Sequence, residues 1–319
     1  MGRGLARALW SAAAALTLGC GGSGIHKSGG AAKPMTMDQA EEAACAGRFS
    51  LAVPEHMKVD VRSQSIYRTN VKTLPAPEGG IQAYWAARLL ALRAQPGISF
   101  EGPDALRIFD AQKGINGVWY RGNRAFPNTL TLEAAMEVER GLVLADREAV
   151  SGKESVAGQL VTSILKAYVP STDSGFCVGD GAIQMEPSQN ERVQLNLTHV
   201  IAPDLEVRFA TRAVVEPDLK SYSDVEEERE LAASCGGSIV VLREQQRRAA
   251  GMDGKEIWIS MSVPGEAPSV RFSWHFPGTG GDASRPMINL VGSAPLVEQP
   301  VLQDAWDRVL GSLRPIPVT

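Results

Sequence analysis

Histidine is the residue of this chain best suited to acid–base chemistry, but no histidine stands in a recognisable catalytic arrangement. His56, His199 and His275 lie on or beside predicted strands, and none has an acidic residue at motif spacing. The sequence also lacks a G-x-S-x-G nucleophile elbow, an H-E-x-x-H helix, a C-x-x-C pair and a G-x-x-x-x-G-K-S/T phosphate loop. We therefore predict that the protein is not an enzyme and that it uses no cofactor.

Two glycine-containing segments that could bind phosphate have simpler interpretations. The stretch "SGKES" from Ser151 lacks the upstream glycine of a phosphate loop and the hydroxyl residue that should follow its lysine. The stretch "GTGGDAS" from Gly278 lies between two predicted strands, where a hairpin loop is the expected structure. A net charge of −4 and a pI of about 5.7 give no basic surface for nucleic acid, so we predict no nucleic-acid partner.

Cys20 is suited to a different reaction, the attachment of lipid. Residues 1–7 carry two arginines and no acid, and the apolar run over residues 8–18 is well short of a membrane-spanning helix. The run ends in Thr17-Leu18-Gly19-Cys20, which resembles the lipobox of a bacterial lipoprotein signal. We predict a cleaved signal over residues 1–19 and lipidation at Cys20. The alternative is an ordinary cleaved signal followed by a fortuitous cysteine.

Residues 20–44 read as a flexible tether, because glycine, alanine and serine dominate and hydrophobic periodicity is absent. Gly21, rather than aspartate, follows the predicted lipidation site, and by analogy with bacterial lipoproteins this favours the outer membrane. We therefore expect a periplasmic protein that contacts the membrane through the lipid at Cys20. Overall composition, with 44% hydrophobic and 21% charged residues, is that of a globular body on this tether.

Three further cysteines, Cys45, Cys177 and Cys235, are consistent with an oxidising compartment. One disulfide is plausible there, and it would leave one thiol over. Their wide separation in sequence resembles no metal-binding motif, which would need at least one close pair, so we predict no metal site. The spacing alone leaves the pairing open.

Hydrophobic periodicity predicts three helices with alternating strands between them. The helices are expected over Ile81–Gln95, Ser155–Tyr168 and Leu302–Leu313, each followed within a few residues by proline. The segment "REQQRRAAGMDGKE" from Arg243 is expected to be a hairpin with its turn at Met252–Gly254. Strands are predicted to start near the following residues: Arg48, Val193, Leu205, Ser238, Glu256, Val270 and Met287.

The order of these elements suggests two similar halves. Each half starts near a cysteine in glycine-containing sequence and ends with a helix and a proline. We predict an α+β protein of two similar domains, over 45–170 and 171–319, each a mostly antiparallel sheet with helices on one face. Turn residues in "PSTDSG" from Pro170 support the boundary. The alternative is that two α+β domains share this order by chance.

Four segments in this order resemble the immunity proteins cognate to type VI secretion lipases. They are "CAGRFSLAVPEHMKV" at Cys45, "GFCVGDGAI" at Gly175, "VLREQQRRAAGMDGKEIW" at Val241 and "AWDRVLGSLRP" at Ala305. The resemblance implies a protein that binds a cognate phospholipase and blocks access to its catalytic serine, so that the producing cell is protected. It also implies a disulfide between Cys45 and Cys177, with Cys177–Cys235 as the rival pairing.

Loops are the expected contact sites, because the motifs that carry the resemblance are mostly fold-forming. Candidate partner-binding residues lie in the predicted hairpin and in the glycine-rich turn: Arg247, Arg248, Asp253, Lys255 and Asp282. Two domains could also grip opposite sides of a protruding part of the lipase. The alternative function is an envelope lipoprotein that scaffolds or helps to assemble a surface complex.

Overall fold

The computed structural model describes residues 42–54, 56–100, 106–122, 126–219 and 225–318. The predicted signal, the lipidation site Cys20 and most of the predicted tether lie outside the described residues. The end of that tether differs from the prediction, because strand β1 already begins at Glu42. In the part of the chain that the structure describes, no helix has both the length and the hydropathy that crossing a bilayer requires.

Four helices form in the described residues: α1 (Gly80–Ala94), α2 (Glu154–Lys166), α3 (Val225–Ser234) and α4 (Gln299–Ser312). The strands of the first half are β1 (Glu42–Ala46), β2 (Phe49–Val53), β3 (Met57–Ile66), β4 (Thr69–Leu74), β5 (Ser99–Phe100), β6 (Leu106–Asp110), β7 (Ile115–Arg121), β8 (Thr129–Val138), β9 (Gly141–Val150) and β10 (Tyr168–Val169). Those of the second half are β11 (Phe176–Val178), β12 (Gly181–Ile183), β13 (Arg192–His199), β14 (Glu206–Arg212), β15 (Ser238–Ala249), β16 (Met252–Ser262), β17 (Ser269–Phe276), β18 (Met287–Pro295) and β19 (Arg314–Pro315).

One antiparallel sheet of thirteen strands runs through both halves of the described chain. Its order is β15-β16-β17-β18-β14-β13-β3-β4-β9-β8-β7-β5, and β6 also pairs with β7. The halves join where β3 pairs with β13, from Met57 opposite His199 to Ser65 opposite Arg192. The α+β class is therefore confirmed. The prediction of a separate sheet for each half is corrected, because the two central strands pair with each other and make one sheet.

The two halves of this sheet repeat the same order of elements. The first runs β3, β4, α1, four strands from β6 to β9, and α2, with the short β5 inserted after α1. The second runs β13, β14, α3, four strands from β15 to β18, and α4. Similarity of the two halves as duplicated domains, with the boundaries given above, stays a prediction.

Two small sheets tie the ends of the halves together. Strands β1, β2 and β19 form one sheet, and β10, β12 and β11 form the other. Cys45 on β1 and Cys177 on β11 are joined by a disulfide with a Cα–Cα distance of 5.8 Å, the pairing that the resemblance implies. The backbone N–H of Cys177 also donates to the carbonyl of Gly47 at 2.6 Å. Cys235 lies outside this disulfide.

Helices cover both faces of the large sheet, which differs from the predicted one-sided arrangement. Helices α2 and α4 pack into the largest hydrophobic cluster of the described residues, which we call the main core. Val143 and Ala145 of β9 belong to it as well. Helix α1 instead packs on Leu142 and Leu144 of the same strand, in a separate cluster. Because neighbouring residues of a strand point to opposite faces, α1 lies across the sheet from α2. These strands carry apolar side chains on both faces, and a helix on each side shields those side chains from water.

Helix α4 shows how the main core is built. Its residues Leu302, Trp306 and Val309 are fully buried at the spacing of one helical face. Trp306 meets Phe272 of β17 edge-to-face with 5.9 Å between ring centroids, and Phe272 stacks on Trp258 at 4.0 Å. We call the side of the large sheet that carries α2, α4 and the two small sheets the covered face.

Candidate partner-binding face

Among the described residues, no helix covers the other face of the central strands of the large sheet. Val193, Leu195 and Leu197 of β13 are buried in the main core, and the residues between them point the opposite way and are partly exposed. Helices α1 and α3 stand on either side of this surface, over the outer strands of the two halves. We call this surface the open face and define it by these residues: Asp60, Ser63, Asn70, Lys72, Gln194, Asn196, Thr198, Glu206, Arg208, Val291 and Ser293.

An ion pair fixes α1 at one border of the open face. Arg88 of α1 donates from Nε to Glu133 Oε2 on β8 at 2.7 Å, and its Nη2 contacts the other oxygen. The Tyr120 hydroxyl donates to the same carboxylate at 2.5 Å. Burial alone would raise the pKa of Glu133, but the hydrogen bonds from Arg88 and Tyr120 outweigh it and lower that pKa. Glu133 is therefore ionised and holds the helix against the sheet.

Asp146 lies beside this ion pair on β9. Burial first, and then repulsion from the Glu133 carboxylate, raise the pKa of Asp146, while a 2.7 Å hydrogen bond from the Asn70 side chain opposes the rise. Lys72 of β4 is exposed next to them on the same face. This border of the open face therefore combines carboxylate acceptors with the exposed positive charge of Lys72.

An ion pair of reversed polarity fixes α3 at the other border. Here the helix supplies the acid, Glu228, and strand β17 supplies the base, Arg271. Arg208 of β14 pairs with Glu206 on the same strand, and the Ser293 hydroxyl lies 3.4 Å from Glu206. The Arg208 side chain is still 43% exposed, so its guanidinium can contact a second molecule.

The open face is suited to binding rather than to reaction. It carries acidic side chains, Asp60 and Glu206, as well as basic ones, Lys72 and Arg208, and such a mixture favours a partner with complementary charges. Within the described ranges, no three His, Cys, Asp or Glu side chains come close enough to hold a metal ion. His275 is also part of the interior, where its ring contacts the Asn289 side chain at 2.5 Å and the carbonyl of Asp218 at 2.8 Å.

Arg247, a predicted partner-binding residue, has internal partners. Its Nη1 donates to Glu256 at 2.8 Å and to Asp307 of α4 at 2.7 Å. Glu256 is completely buried and also accepts a 2.8 Å hydrogen bond from Trp306 Nε1. Burial would raise the pKa of Glu256, but the bond from Trp306 and the charge of Arg247 lower it. Arg247 therefore fastens β15 to α4, and a role in partner binding stays a prediction.

The other four predicted contact residues lie at the same end of two neighbouring hairpins. Arg248 and Asp253 are exposed and face each other across β15 and β16, and Lys255 pairs with Glu244 at 2.9 Å. Asp282, in the loop between β17 and β18, accepts from the backbone N–H of Ser284 at 2.9 Å. Bonds from Ser284 lower the pKa of Asp282. The structure thus gathers these residues, but at an edge away from the middle of the open face.

The turn of the first of these hairpins lies earlier than predicted. It consists of Ala250 and Gly251, with φ values of 51° and 75°, rather than Met252–Gly254. Positive φ at both positions is what a two-residue hairpin turn requires. Met252 instead begins β16 and is buried in the main core.

Sequence reasoning missed the residues that border the open face, chiefly Arg88, Glu133, Arg208 and Arg271. The polar positions of "VQLNLTHV" and "LEVRFATR" do alternate with apolar ones, which indicates a polar sheet face. That pattern does not tell which strands a helix covers. The open face follows from the pairing of β3 with β13, which no local pattern encodes.

Comparison with known proteins gives this architecture a class. The fold is that of immunity proteins of the type VI secretion system. The apo immunity protein TplEi of Pseudomonas aeruginosa matches with a TM-score of 0.68 and 16% identity, over 87% of this chain and 97% of that one. A structure of the Tle4–Tli4 complex matches with a TM-score of 0.71 and 15% identity, over 89% of this chain and 100% of that one. No curated protein matches the chain in sequence.

A protein-family model also matches the second half of the chain in sequence. Residues 169–318 match the family model described as the Tle cognate immunity protein 4 C-terminal domain. TplEi complexed with an "L" peptide is a further structural match, with a TM-score of 0.65 and 15% identity over 86% of this chain and 98% of that one. The predicted resemblance to type VI secretion lipase immunity proteins is confirmed, and with it the prediction that the chain is not an enzyme.

Proposed function

We propose that this protein binds a cognate type VI secretion phospholipase through the open face and blocks access to its catalytic serine. The observation that carries the proposal is the uncovered polar surface of the central strands, held between two helices that ion pairs fix in place. The match of residues 169–318 to an immunity-protein domain supports a lipase effector as the partner. The producing cell would be protected because the bound lipase cannot admit its lipid substrate.

The area of the open face suits inhibition by occlusion. A stable protein–protein interface buries about 1,600 Å² in total, or roughly 800 Å² on each partner. Five neighbouring strands spaced about 4.8 Å apart span roughly 20 Å, which is wide enough for such a contact. The two flanking helices would make the contact a cleft that encloses a protruding part of the lipase from both sides.

The proposal predicts that a gene for a G-x-S-x-G lipase adjoins this protein's gene, and that lipase is the probe for the test. Cells that export the lipase to their periplasm should die, and co-expression of the wild-type protein should rescue them. Arg208→Glu should weaken binding at least about 10-fold, because a like charge would face the partner's acid. Arg308→Glu is the matched control, since Arg308 pairs with Asp304 on α4 at the covered face. Both affinities can be measured by calorimetry.

Two results would contradict the proposal. Equal loss of affinity in both variants would place the interface elsewhere. Failure of the wild-type protein to bind the lipase at all would favour the scaffold function. In that case the protein should instead co-purify with components of an envelope complex.

We also propose that the protein is a periplasmic lipoprotein, anchored through Cys20. The support is the sequence alone, with its short apolar run and Thr17-Leu18-Gly19-Cys20. Cys20→Ala should move the protein from the membrane fraction to the soluble periplasmic fraction. An unchanged membrane fraction would contradict the anchor without affecting the proposal of lipase binding.

A further inference from the structure

The connection between β13 and β14, residues 200–205, presents aliphatic side chains to solvent. Ile201 is 79% exposed and Val200 is 63% exposed. Exposed aliphatic surface is unfavourable in water, so such a tip is stabilised when a partner covers it. The nearby Leu205 and Ala202 are directed inward and pack against the main core.

The tip is held in one conformation by hydrogen bonds. The ring Nδ1 of His199 accepts from the backbone N–H of Ile201 at 3.3 Å and from that of Ala202 at 3.0 Å. The backbone N–H of Val200 donates to the carbonyl of His56 at 2.9 Å, and the His56 and His199 rings lie 4.5 Å apart. A loop held in this way loses little entropy when it binds.

Hairpin closure does not require these residues. In the first half, the equivalent connection between β3 and β4 is a two-residue turn of Tyr67 and Arg68, with φ values of 52° and 62°. That turn is fastened inward, because the Tyr67 hydroxyl donates to Glu186 and Arg68 donates to Asn190. The longer connection of the second half therefore adds exposed aliphatic surface that the fold itself does not use.

A second exposed segment emerges at the same end of the sheet. Glu206 of β14 pairs with Thr198 on β13 and with Ser293 on β18, so the three strands leave the sheet side by side. Just beyond β18, Val297 is 88% exposed and Leu296 is 39% exposed. We call Val200, Ile201, Leu296 and Val297 the apolar rim. The apolar rim adjoins the open face, because Thr198, Glu206 and Ser293 belong to the open face and also lie at the strand ends from which the rim emerges.

We propose that the apolar rim enters the acyl-chain cleft of the lipase, with Ile201 as its leading side chain. This inference rests on the proposed function, in which the open face binds the lipase. An enzyme that hydrolyses acyl esters holds the acyl chain in an apolar cleft beside its catalytic serine. Branched aliphatic side chains on a rigid tip match that cleft in chemistry and exclude the substrate directly.

The test compares two substitutions of equally exposed residues at opposite ends of β14. Ile201→Asp should weaken binding to the cognate G-x-S-x-G lipase at least about 30-fold, because a carboxylate cannot enter an apolar cleft without a partner. Val215→Asp is the control, since Val215 is 78% exposed beyond the far end of the strand. It should change affinity less than about 3-fold.

A second measurement uses the lipase after its catalytic serine has reacted with a phosphonate. A long alkyl phosphonate, which fills the cleft, should weaken binding of the wild-type protein but leave binding of Ile201→Asp unchanged. A methyl phosphonate, which leaves the cleft empty, should change the lipase affinity of neither the wild-type protein nor Ile201→Asp. Wild-type affinity that is insensitive to the alkyl chain would overturn the inference.

The possible outcomes distinguish failure of the rim inference from failure of the proposed function on which it rests. Tight binding by Ile201→Asp, with full inhibition, overturns the rim inference and leaves the proposed function intact. Absence of binding by the wild-type protein overturns both. If Ile201→Asp keeps lipase affinity but loses binding to phosphatidylethanolamine–phosphatidylglycerol vesicles, the rim faces the membrane and the inference is wrong.

Discussion

Glu256 is an ionised carboxylate in the interior of the protein, and its neighbours explain why it can be there. Trp306, Arg247 and Gln245 all donate to it, and Arg243 lies 3.9 Å away. An ion taken out of water is tolerated only when such bonds replace its hydration. The cluster joins three separate elements, β15, β16 and α4.

Glu256→Ala should destabilise the protein by about 3 kcal/mol, because it leaves Trp306 Nε1 and part of the Arg247 guanidinium unpaired in the interior. The midpoint of urea unfolding measures the loss. Asp304→Ala is the control, since Asp304 pairs with Arg308 at the surface of α4 and should matter by less than about 0.5 kcal/mol. An equal effect of the two substitutions would show that the buried cluster contributes no more than a surface pair.

His199 should make the stability depend on pH. Burial, and then the neighbouring His56, lower the pKa of His199 below its ordinary value of about 6.5. The folded protein therefore binds fewer protons than the unfolded chain as the pH falls below 6.5, and the free energy of unfolding should decrease there. Urea unfolding between pH 5 and 8 measures this. His199→Asn, whose amide oxygen can accept the same N–H bonds, should show a flatter profile.

Secondary-structure elements were the most predictable part of this molecule. The stripe of Trp306 and Val309 predicted α4, and the alternation in "VQLNLTHV" predicted β13, because both periods are local properties of the sequence. The partner of β13 was not predictable in the same way. Its pairing with β3 joins residues more than a hundred positions apart, and the burial that results depends on the whole sheet.

The candidate site was correspondingly harder to predict than the elements that carry it. Arg247 reads as a surface residue of a hairpin, because nothing near it in sequence reveals that Asp307 of α4 will lie 2.7 Å away. Arg88 and Glu133 likewise look like ordinary surface charges until α1 packs over β8. Pairing across distant elements decides which charges face a partner.

The Cys45–Cys177 disulfide links β1 to β11 across a sequence separation of 132 residues. Closing so long a loop restricts the unfolded chain, and loss of a native disulfide typically costs about 2–5 kcal/mol. Replacing both cysteines by alanine should therefore lower stability by about 3 kcal/mol in urea unfolding. Cys235→Ser, which leaves the disulfide intact, is the control. A double variant as stable as the wild type would mean that the non-covalent contacts between the halves are sufficient without the disulfide.

At the scale of the whole molecule, the two halves should not fold as independent units. Apart from the disulfide, Arg48 of the first half forms a buried ion pair at 2.8 Å with Glu191 of the second, and β3 pairs with β13 along its length. Separating the halves would expose the edges of two central strands, which favours aggregation.

Residues 45–170 and 171–319, expressed separately, should therefore be insoluble or lack a cooperative unfolding transition. Circular dichroism during heating and size-exclusion chromatography measure this, with the intact chain as the reference. Two monomeric fragments, each with a sharp transition, would contradict the prediction. They would also show that the shared sheet forms by docking of preformed parts.

Strands β1, β2 and β19 form one small sheet, so both ends of the described chain lie close together. Phe49 of β2 packs against Phe209 with 6.0 Å between ring centroids, so this sheet lies on the covered face. Both ends of the described chain thus leave from the side of the molecule opposite to the open face. A fluorophore or an affinity handle placed next to Glu42 or Val318 would therefore leave the opposite side of the sheet free.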